Sequence, residues 1–442
     1  MARMSTTEQI AQLVESIRPK IIRWRRDFHQ YPETGWTEFR TASLVARTLS
    51  ELGFAVLAGR NAVKPEARMG LPGAAELREA KERALRDGGD PFWIAKMDDG
   101  LTGVVGVWDT GKPGPTIAFR FDLDALEIAE DTAPEHLPAR AGFRSRYERV
   151  MHACGHDGHT AIGLGLATLI ARRSDRLAGR IKLIFQPAEE GGRGAKAMVE
   201  AGVVADVDFF VAAHLGLMAR KNKQVVCGVS HFFASTKIDV EFKGVPAHAA
   251  FAPHEGRNAL LAAAALAVQL QGISRHGGGD SRINVGVLHA GEARNTIPSR
   301  ASLKLETRGE TSEVNQYMTD EAIRMIRAVA AMYDVSERIE LVGQTIAASC
   351  DGELVRLVRE AVCGMGQGLE VIDSLPFLAS EDATYMMQAV QDRGGKATYM
   401  LLGTERKAGH HHHAFDFAED VLPRAVEIFA HVLEKIIADH AG

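Results

Sequence analysis

A chain of 442 residues, 46% apolar and 25% charged, is too long for one ordinary domain and can bury an ample core. A formal net charge of −5 without a basic stripe argues against nucleic-acid binding. The four cysteines (Cys154, Cys227, Cys350, Cys363) follow no disulfide spacing, no apolar h-region follows Met1, and no run approaches a membrane span, so the expected setting is the reducing cytoplasm.

Residues 7–30 predict an amphipathic helix, with Ile10, Leu13, Val14, Ile17 and Ile21 at helical spacing and a break or kink at Pro19. His29 to Glu33 reads as a turn, and His29 as a structural turn residue more than a ligand. Glu38 to Leu52 predicts a second helix, ended at Gly53. Residues 59–98 are polar and look like an insertion decorating a scaffold, with a helix over Ala74 to Leu85. Strands are predicted over Thr102 to Asp109 and Thr116 to Phe121. Asp122 and Asp124 follow the second, at a strand end where sites form; either one alone is as readily a helix N-cap.

The stretch Met151-His152-Ala153-Cys154-Gly155-His156-Asp157-Gly158-His159-Thr160 puts three histidines, a cysteine and an aspartate ahead of an apolar helix over 161–170. Imidazole, thiolate and carboxylate are the ligands a divalent transition metal prefers. Cys154 and His156 are two apart and cannot share one face of a regular helix, so a turn entering the helix must aim both at one ion. The competing reading is a polar loop whose histidines bond to backbone. Gly179 to Gln186 predicts a buried strand that runs into Pro187-Ala188-Glu189-Glu190-Gly191-Gly192. On such a turn one glutamate can bind metal while the other faces substrate as a general base; a solvated acidic loop is the alternative. Lys196 to Ala201 predicts a short helix, and Val207 to Ala213 a strand ending at His214. Strands alternating with helices indicate an α/β layer architecture, with ligand-type residues gathered at successive strand ends.

From about Ser230 the pattern changes. Alternating strands (237–242, 283–288, 301–307, 338–342) and helices (256–271, 312–332) follow the order βαββαβ, the split βαβ unit of a ferredoxin-like domain. The expected division is a first domain of 1–227 and 344–442 with an insertion at 228–343. In the last part, Ser380 to Ala383 is expected to cap a helix, and Ala397 to Gly403 to form a buried strand. The run His410-His411-His412-His413 lies between that strand and an amphipathic helix over Leu422 to Ile437, so it reads as native rather than as a tag.

Jointly these motifs resemble the metal-dependent amidohydrolases of the aminoacylase and glutamate-carboxypeptidase type. The matching residues are Arg120 to Leu126, Met151 to Asp157, Gln186 to Glu190, His214-Leu215-Gly216, Gly244 to Ala249, Arg294 to Pro298 and the late histidine run. The cysteine-containing branch is nearest; it includes hippurate, indole-acetyl-amino-acid and aminobenzoyl-glutamate hydrolases. Glu66 to Pro72 and the Glu/Ala/Arg helix after it look like the A-type subunits of the last group.

The resemblance implies a mixed-sheet α/β metallohydrolase domain with an inserted ferredoxin-like α+β lid and dimerisation domain. It implies two divalent ions, Mn or Zn with Co as an option, held by Cys154, His156, Glu190, His214 and His411, with Cys154 bridging. His410 is the runner-up for the last ligand, and a metal role for Asp122 is open. Glu189 matches the general base and Asp124 the aspartate behind a ligand histidine. In the lid, His248 and Asn295 match substrate contacts, and Arg308, thirteen residues beyond Asn295, matches a carboxylate clamp; a surface charge at a strand end is the other reading. His152 and His159 are expected to support the site, and Asp157 to stand behind a ligand or cap the helix. The implied reaction is hydrolysis of an N-acyl amino acid, foremost p-aminobenzoyl-glutamate to p-aminobenzoate and glutamate. The alternatives are a hippurate or indole-acetyl substrate, a single-metal peptidase and a non-catalytic metal-binding subunit. The implied partners are a second copy of the chain and a B-type paralogue.

Overall fold

The computed structural model describes residues 5–440. The chain forms two compact units: one runs to Ser230 and resumes over Ala348–Phe377 and from Asp382, and the other comprises His231–Ala347 with Leu378–Glu381. The strands in chain order are β1 (Ala55–Ala58), β2 (Val104–Asp109), β3 (Thr116–Asp122), β4 (Arg180–Gln186), β5 (Phe209–Leu215) and β6 (Gln224–Ser230). They continue with β7 (Ala234–Lys243), β8 (Ser281–Ala290), β9 (Arg300–Gly309), β10 (Ser336–Thr345), β11 (Glu370–Pro376) and β12 (Lys396–Leu402).

The first unit is built on a mixed sheet of order β1-β2-β4-β3-β5-β12-β6-β11. Its central strands β4, β3, β5 and β12 are mutually parallel, so their C-terminal ends share one edge. These strands are buried almost throughout, as continuous Ile/Leu/Val/Phe runs require when both faces of a sheet are covered. Three helices pack together in this unit: Thr6–Gln30, His156–Arg172 and Val421–His440. The first begins at a capping box in which Glu8 N donates to Ser5 Oγ and Ser5 N donates to Glu8 Oε2. It runs on through Pro19, where the sequence predicts a break. Ile10, Val14, Ile17, Ile21 and Phe28 keep one buried stripe across the proline, and that packing outweighs one lost backbone bond. His29 lies in its last turn, inside the helix and not in the turn that follows.

Two strands at or near the sheet margins, β6 and β11, were not legible as strands, nor was β1. β6 lies between antiparallel β12 and parallel β11, so pairing rather than local pattern defines it. The segment 59–98 contains the expected helix, Ala74–Arg86, but it does more than decorate. Trp36 Nε1 donates to Met69 O, and Arg193 Nη1 donates to Gly70 O, which ties it to the loop after β4.

The second unit is an antiparallel sheet of order β10-β7-β9-β8 with helices Ala259–Gln269 and Ser312–Tyr333 packed against it. The chain order βαββαβ with this strand order is the ferredoxin-like topology. Ile238, Val240, Leu303 and Leu305 face the helices, while Asp239, Glu241, Ser302 and Lys304 alternate onto the other face. Leu378–Glu381 joins this unit through Leu378 N to His231 O (3.1 Å) and Phe233 N to Ala379 O (2.9 Å). Among the described residues no helix is long and apolar enough to cross a membrane.

Candidate metal centre

The centre is assembled at the shared C-terminal edge of β3, β4, β5 and β12. Helix His156–Arg172 begins at Gly155, whose φ of 91° is left-handed and open to a residue without Cβ. That turn lets Cys154 and His156 converge although they are two apart. Cys154 Sγ lies 3.3 Å from His214 Nε2. Two groups of potential ligands meet at this sulfur: Cys154 with His156 and His214, and Cys154 with Glu190 and His411. A further group joins His156 to Glu189 and Glu190.

The ring nitrogens of the histidines are sorted by their partners. His214 Nδ1 stands 2.8 Å from Leu215 O; a carbonyl only accepts, so Nδ1 carries the proton and Nε2 presents a lone pair. His156 Nδ1 likewise donates to Asp124 O at 2.8 Å, with Asp124 Oδ1 at 3.4 Å, and this leaves Nε2 bare. His156 Nε2 and Glu190 Oε1 are buried and have no hydrogen-bond partner. Buried polar atoms are rarely left so, and an ion at this point satisfies both. Burial pushes the Cys154 thiol up, and the Glu190 carboxylate adds to the shift; a bound cation reverses that direction. Burial and the neighbouring His159 and His410 hold His214 well below the usual range, which favours the neutral form that a metal would need. The Cys154 sulfur and the Glu190 carboxylate, whose Oε1 stands 3.4 Å from His411 Nε2, raise His411 to about 10. The donor set of sulfur, imidazole and carboxylate therefore fits divalent transition metals.

His410 and His411 are separated by geometry. His410 Nδ1 accepts from Arg406 Nη1, and its Nε2 donates to Leu215 O at 3.1 Å, so both nitrogens are occupied. His411 adopts φ 61°, its N–H donates to Ala153 O at 2.8 Å, and its Nε2 lies 3.4 Å from Glu190 Oε1.

Around these groups stands a buried polar frame. Asp124 accepts from Glu189 N (3.1 Å) and Glu190 N (2.9 Å) and so holds the glutamate turn. Asp122 accepts from His159 Nδ1 (2.6 Å) and Arg120 Nη1 (2.7 Å), while His159 Nε2 accepts from Leu215 N. Asp122 Oδ2 is 3.8 Å from His156 Nε2, and Asp122, His156 and His159 form another group with ligand spacing. Burial opposes ionisation of Asp122, but His156, His159 and Arg120 hold its carboxyl well below the usual range.

Asp382 does not cap the helix it precedes. Its carboxylate accepts from Gly194 N, Ala195 N and Gln186 Nε2 instead, clamping the loop after the two glutamates. Glu38 accepts from Ala188 N and Thr102 Oγ1, and burial raises it to about 8. Asp157 lies in the first turn of its helix and is in none of the candidate ligand groups. It accepts from Arg25 Nε (2.9 Å) and His29 Nδ1 (2.8 Å), and His29 Nε2 bonds Glu130 at 2.8 Å.

In the second unit, His248 and Thr296 are bridged through their backbones, and Ala249 N donates to Asn295 O, so His248 and Asn295 are neighbours. His248 Nδ1 accepts from Phe251 N at 3.1 Å. Arg308 forks onto Glu306 of its own strand, with Nε at 2.9 Å and Nη2 at 3.2 Å, so its guanidinium is already paired.

The sequence model of peptidase family M20/M25/M40 matches residues 118–435, which hold the candidate ligand groups and part of their frame. The chain belongs to this family. Two relatives of this M20-type chain match over nearly their full length. Indole-3-acetyl-aspartic acid hydrolase of Enterobacter agglomerans is 50% identical over 420 residues, 95% of this chain and 96% of that protein. The A-type subunit of p-aminobenzoyl-glutamate hydrolase of Escherichia coli is 48% identical over 426 residues, 96% of this chain and 97% of that protein. The crystal structure of an aminobenzoyl-glutamate utilization protein from Klebsiella pneumoniae superposes with a TM-score of 0.83 at 43% identity, covering 96% and 98% of the two chains. The M20-type chain is thus a metallo-hydrolase acting on amide bonds.

The sequence offers the residues of these groups and Asp124, but four members of the frame of this M20-type site were not legible as such: Arg120, Glu38, Arg25 and Asp382. A charged residue in an otherwise apolar strand, as Arg120 is in Thr116–Asp122, was the available signal for one of them.

Proposed function

We propose that this chain hydrolyses the amide of an N-acyl acidic amino acid, with p-aminobenzoyl-glutamate as the first substrate. The observation that carries this reading is the meeting of two ligand groups at Cys154 beside Glu189. Cys154, His156, Glu190, His214 and His411 are assigned as ligands of two divalent ions, Mn2+ or Zn2+ with Co2+ admitted. When bound, such ions supply Lewis acidity to the amide carbonyl and make water at the site more acidic.

Glu189 is the general base. Its Oε2 lies 3.9 Å from His156 Nε2 and is partly open to solvent. It takes a proton as the water oxygen adds to the carbonyl carbon, and returns that proton to the nitrogen as the C–N bond breaks. Asp124 fixes the tautomer of His156 and the turn carrying Glu189. His248 is assigned to the developing oxyanion. Asn295 and Arg308 are assigned to the substrate carboxylate, and Arg308 must exchange Glu306 for it. Assembly with a second copy or with a B-type paralogue, and a cytoplasmic setting, belong to the same reading.

The second substrate reading is an indole-acetyl amino acid, favoured by the 50% identity to the hydrolase of that name. Release of glutamate or aspartate from the two acyl amino acids, with Mn and Zn compared, separates them. Glu189→Gln should keep both ions and lose nearly all turnover. Activity retained in that variant removes Glu189 from the reaction.

A further inference from the structure

Two loops of the first unit border an open cavity of about 480 Å³ beside the proposed metal centre, lined by Leu217, Met218, Arg220, Arg406, Lys407 and His410 among others. One loop follows His214 at the end of β5, and the other precedes His411 after β12. Three cations line this cavity and no carboxylate does. Among the described residues Arg220, Arg406 and Lys407 form no ion pair with Asp or Glu. Elsewhere on this chain arginines are commonly paired, as Arg25, Arg40, Arg120, Arg173 and Arg180 are.

Arg406 is held in place. Its Nη2 donates to Leu217 O at 2.6 Å and its Nη1 to His410 Nδ1. Gly216, at φ 72°, gives the guanidinium room: a Cβ there would stand 2.9 Å from Arg406 Nε. These two bonds leave one hydrogen on each terminal nitrogen unassigned. Arg220 and Lys407 are exposed at the rim. Burial and the like charge of Arg220 lower Arg406 from its ordinary value. Clustered cations with no counter-charge, one fixed by its own loop, constitute a site for an anion.

The anion has a source in the proposed substrate. The amino-acid half in both relatives' names is dicarboxylic, aspartate in one and glutamate in the other. We propose that Arg220, Arg406 and Lys407 form the subsite that takes the side-chain carboxylate of the acidic amino acid, making the enzyme selective for N-acyl dicarboxylic amino acids. The α-carboxylate is then left to the residues already assigned to it. The inference rests on the amidohydrolase reading above for its substrate, and its test separates the two.

The test compares p-aminobenzoyl-glutamate with p-aminobenzoyl-glutamine, which differ only at the side-chain carboxylate. Turnover is measured on the metal-loaded protein. Calorimetric binding of the product amino acids, glutamate against glutamine, is measured alongside. The wild type is expected to favour glutamate by about 100-fold in kcat/KM, the size of one or two charge-assisted hydrogen bonds. In the exposed double variants Arg220→Gln/Lys407→Gln and Arg220→Glu/Lys407→Glu that ratio should fall about tenfold and further, with KM carrying the change, and the calorimetric ratio should fall with it. Arg406→Lys, which keeps the charge and loses the fork, should lower both ratios less than charge reversal does. A wild type that binds glutamate no tighter than glutamine overturns the subsite, as do ratios unchanged in both double variants. If neither acyl amino acid is hydrolysed, the amidohydrolase reading fails, and the calorimetric ratio still decides the subsite.

Discussion

Asp124 touches both the glutamate turn and His156 of the proposed metal centre, so Asp124→Asn tests the site most directly. The side chain is buried, with Oδ1 accepting Glu189 N at 3.1 Å and Oδ2 accepting Glu190 N at 2.9 Å. Oδ1 also stands 3.4 Å from His156 Nδ1. Asparagine is nearly isosteric, but it replaces one acceptor oxygen with an NH2 donor. Whichever way the amide turns, one of the two backbone N–H groups then faces a donor in a buried site. A hydrogen bond to a charged acceptor contributes ~1.5–3 kcal/mol, and an orphaned buried donor costs ~1–3 kcal/mol. The expected loss of stability is therefore about 2–4 kcal/mol. The bond from His156 Nδ1 to Asp124 O survives the substitution, but loss of the carboxylate charge 3.4 Å away and disturbance of the turn that carries Glu190 should weaken metal binding by about 10- to 100-fold. Urea unfolding of the metal-free protein reads the first quantity, and competition with a chromophoric chelator reads the second. Stability within ~0.5 kcal/mol of wild type together with unchanged metal affinity would refute the assignment of Asp124 as the frame of this site.

Other residues give independent tests. His411→Ala should lose one metal equivalent by elemental analysis, whereas His410→Gln should keep full stoichiometry, because both nitrogens of His410 are already engaged by Arg406 and Leu215; the reverse pattern exchanges their roles. The buried cluster of Arg25, His29, Asp157 and Glu130 should shape stability against pH. Burial and Arg25 oppose the charge on His29, but Asp157 and Glu130 prevail and raise it from the ordinary 6.5 to about 9, so its contribution is full below 6.5 and is lost as pH rises through 9. Glu130, lowered to about 2 by His136 and His29 against the opposing effect of burial, contributes above 4.5 and is lost as pH falls towards 2. His29→Gln should flatten the alkaline decline of the urea midpoint between pH 6.5 and 9, and parallel profiles for variant and wild type would rule the cluster out as its source.

The α/β class was legible because its central strands are continuous apolar runs, and the βαββαβ order because β7 and β9 alternate cleanly between apolar and polar residues. β6 and β11 were not legible: β11 is mostly exposed, and β6 is defined by its pairing with the strands beside it. The break expected at Pro19 follows from the local cost of proline, which here is outweighed by packing along the whole buried stripe. Asp382 illustrates the limit of local rules for side chains. A Ser-Glu-Asp sequence before a helix is a capping signal, yet its carboxylate is drawn to backbone N–H groups nearly two hundred residues earlier. The clamp expected of Arg308 met a partner on its own strand, Glu306, two positions away on the same face.

By itself the sequence determined the chemistry available: a thiolate, several imidazoles and paired carboxylates, set at strand ends by the order of apolar runs. Residue type and spacing are local properties, and they are what a metal-ligand motif consists of. Tertiary structure alone decided which nitrogen of each histidine is engaged and which distant acids hold the frame, and it brings His411, preferred over His410 by the resemblance, near Cys154 and Glu190. Those choices depend on hydrogen-bond partners far apart in the chain, brought together only when parallel strands align their C-terminal ends along one edge.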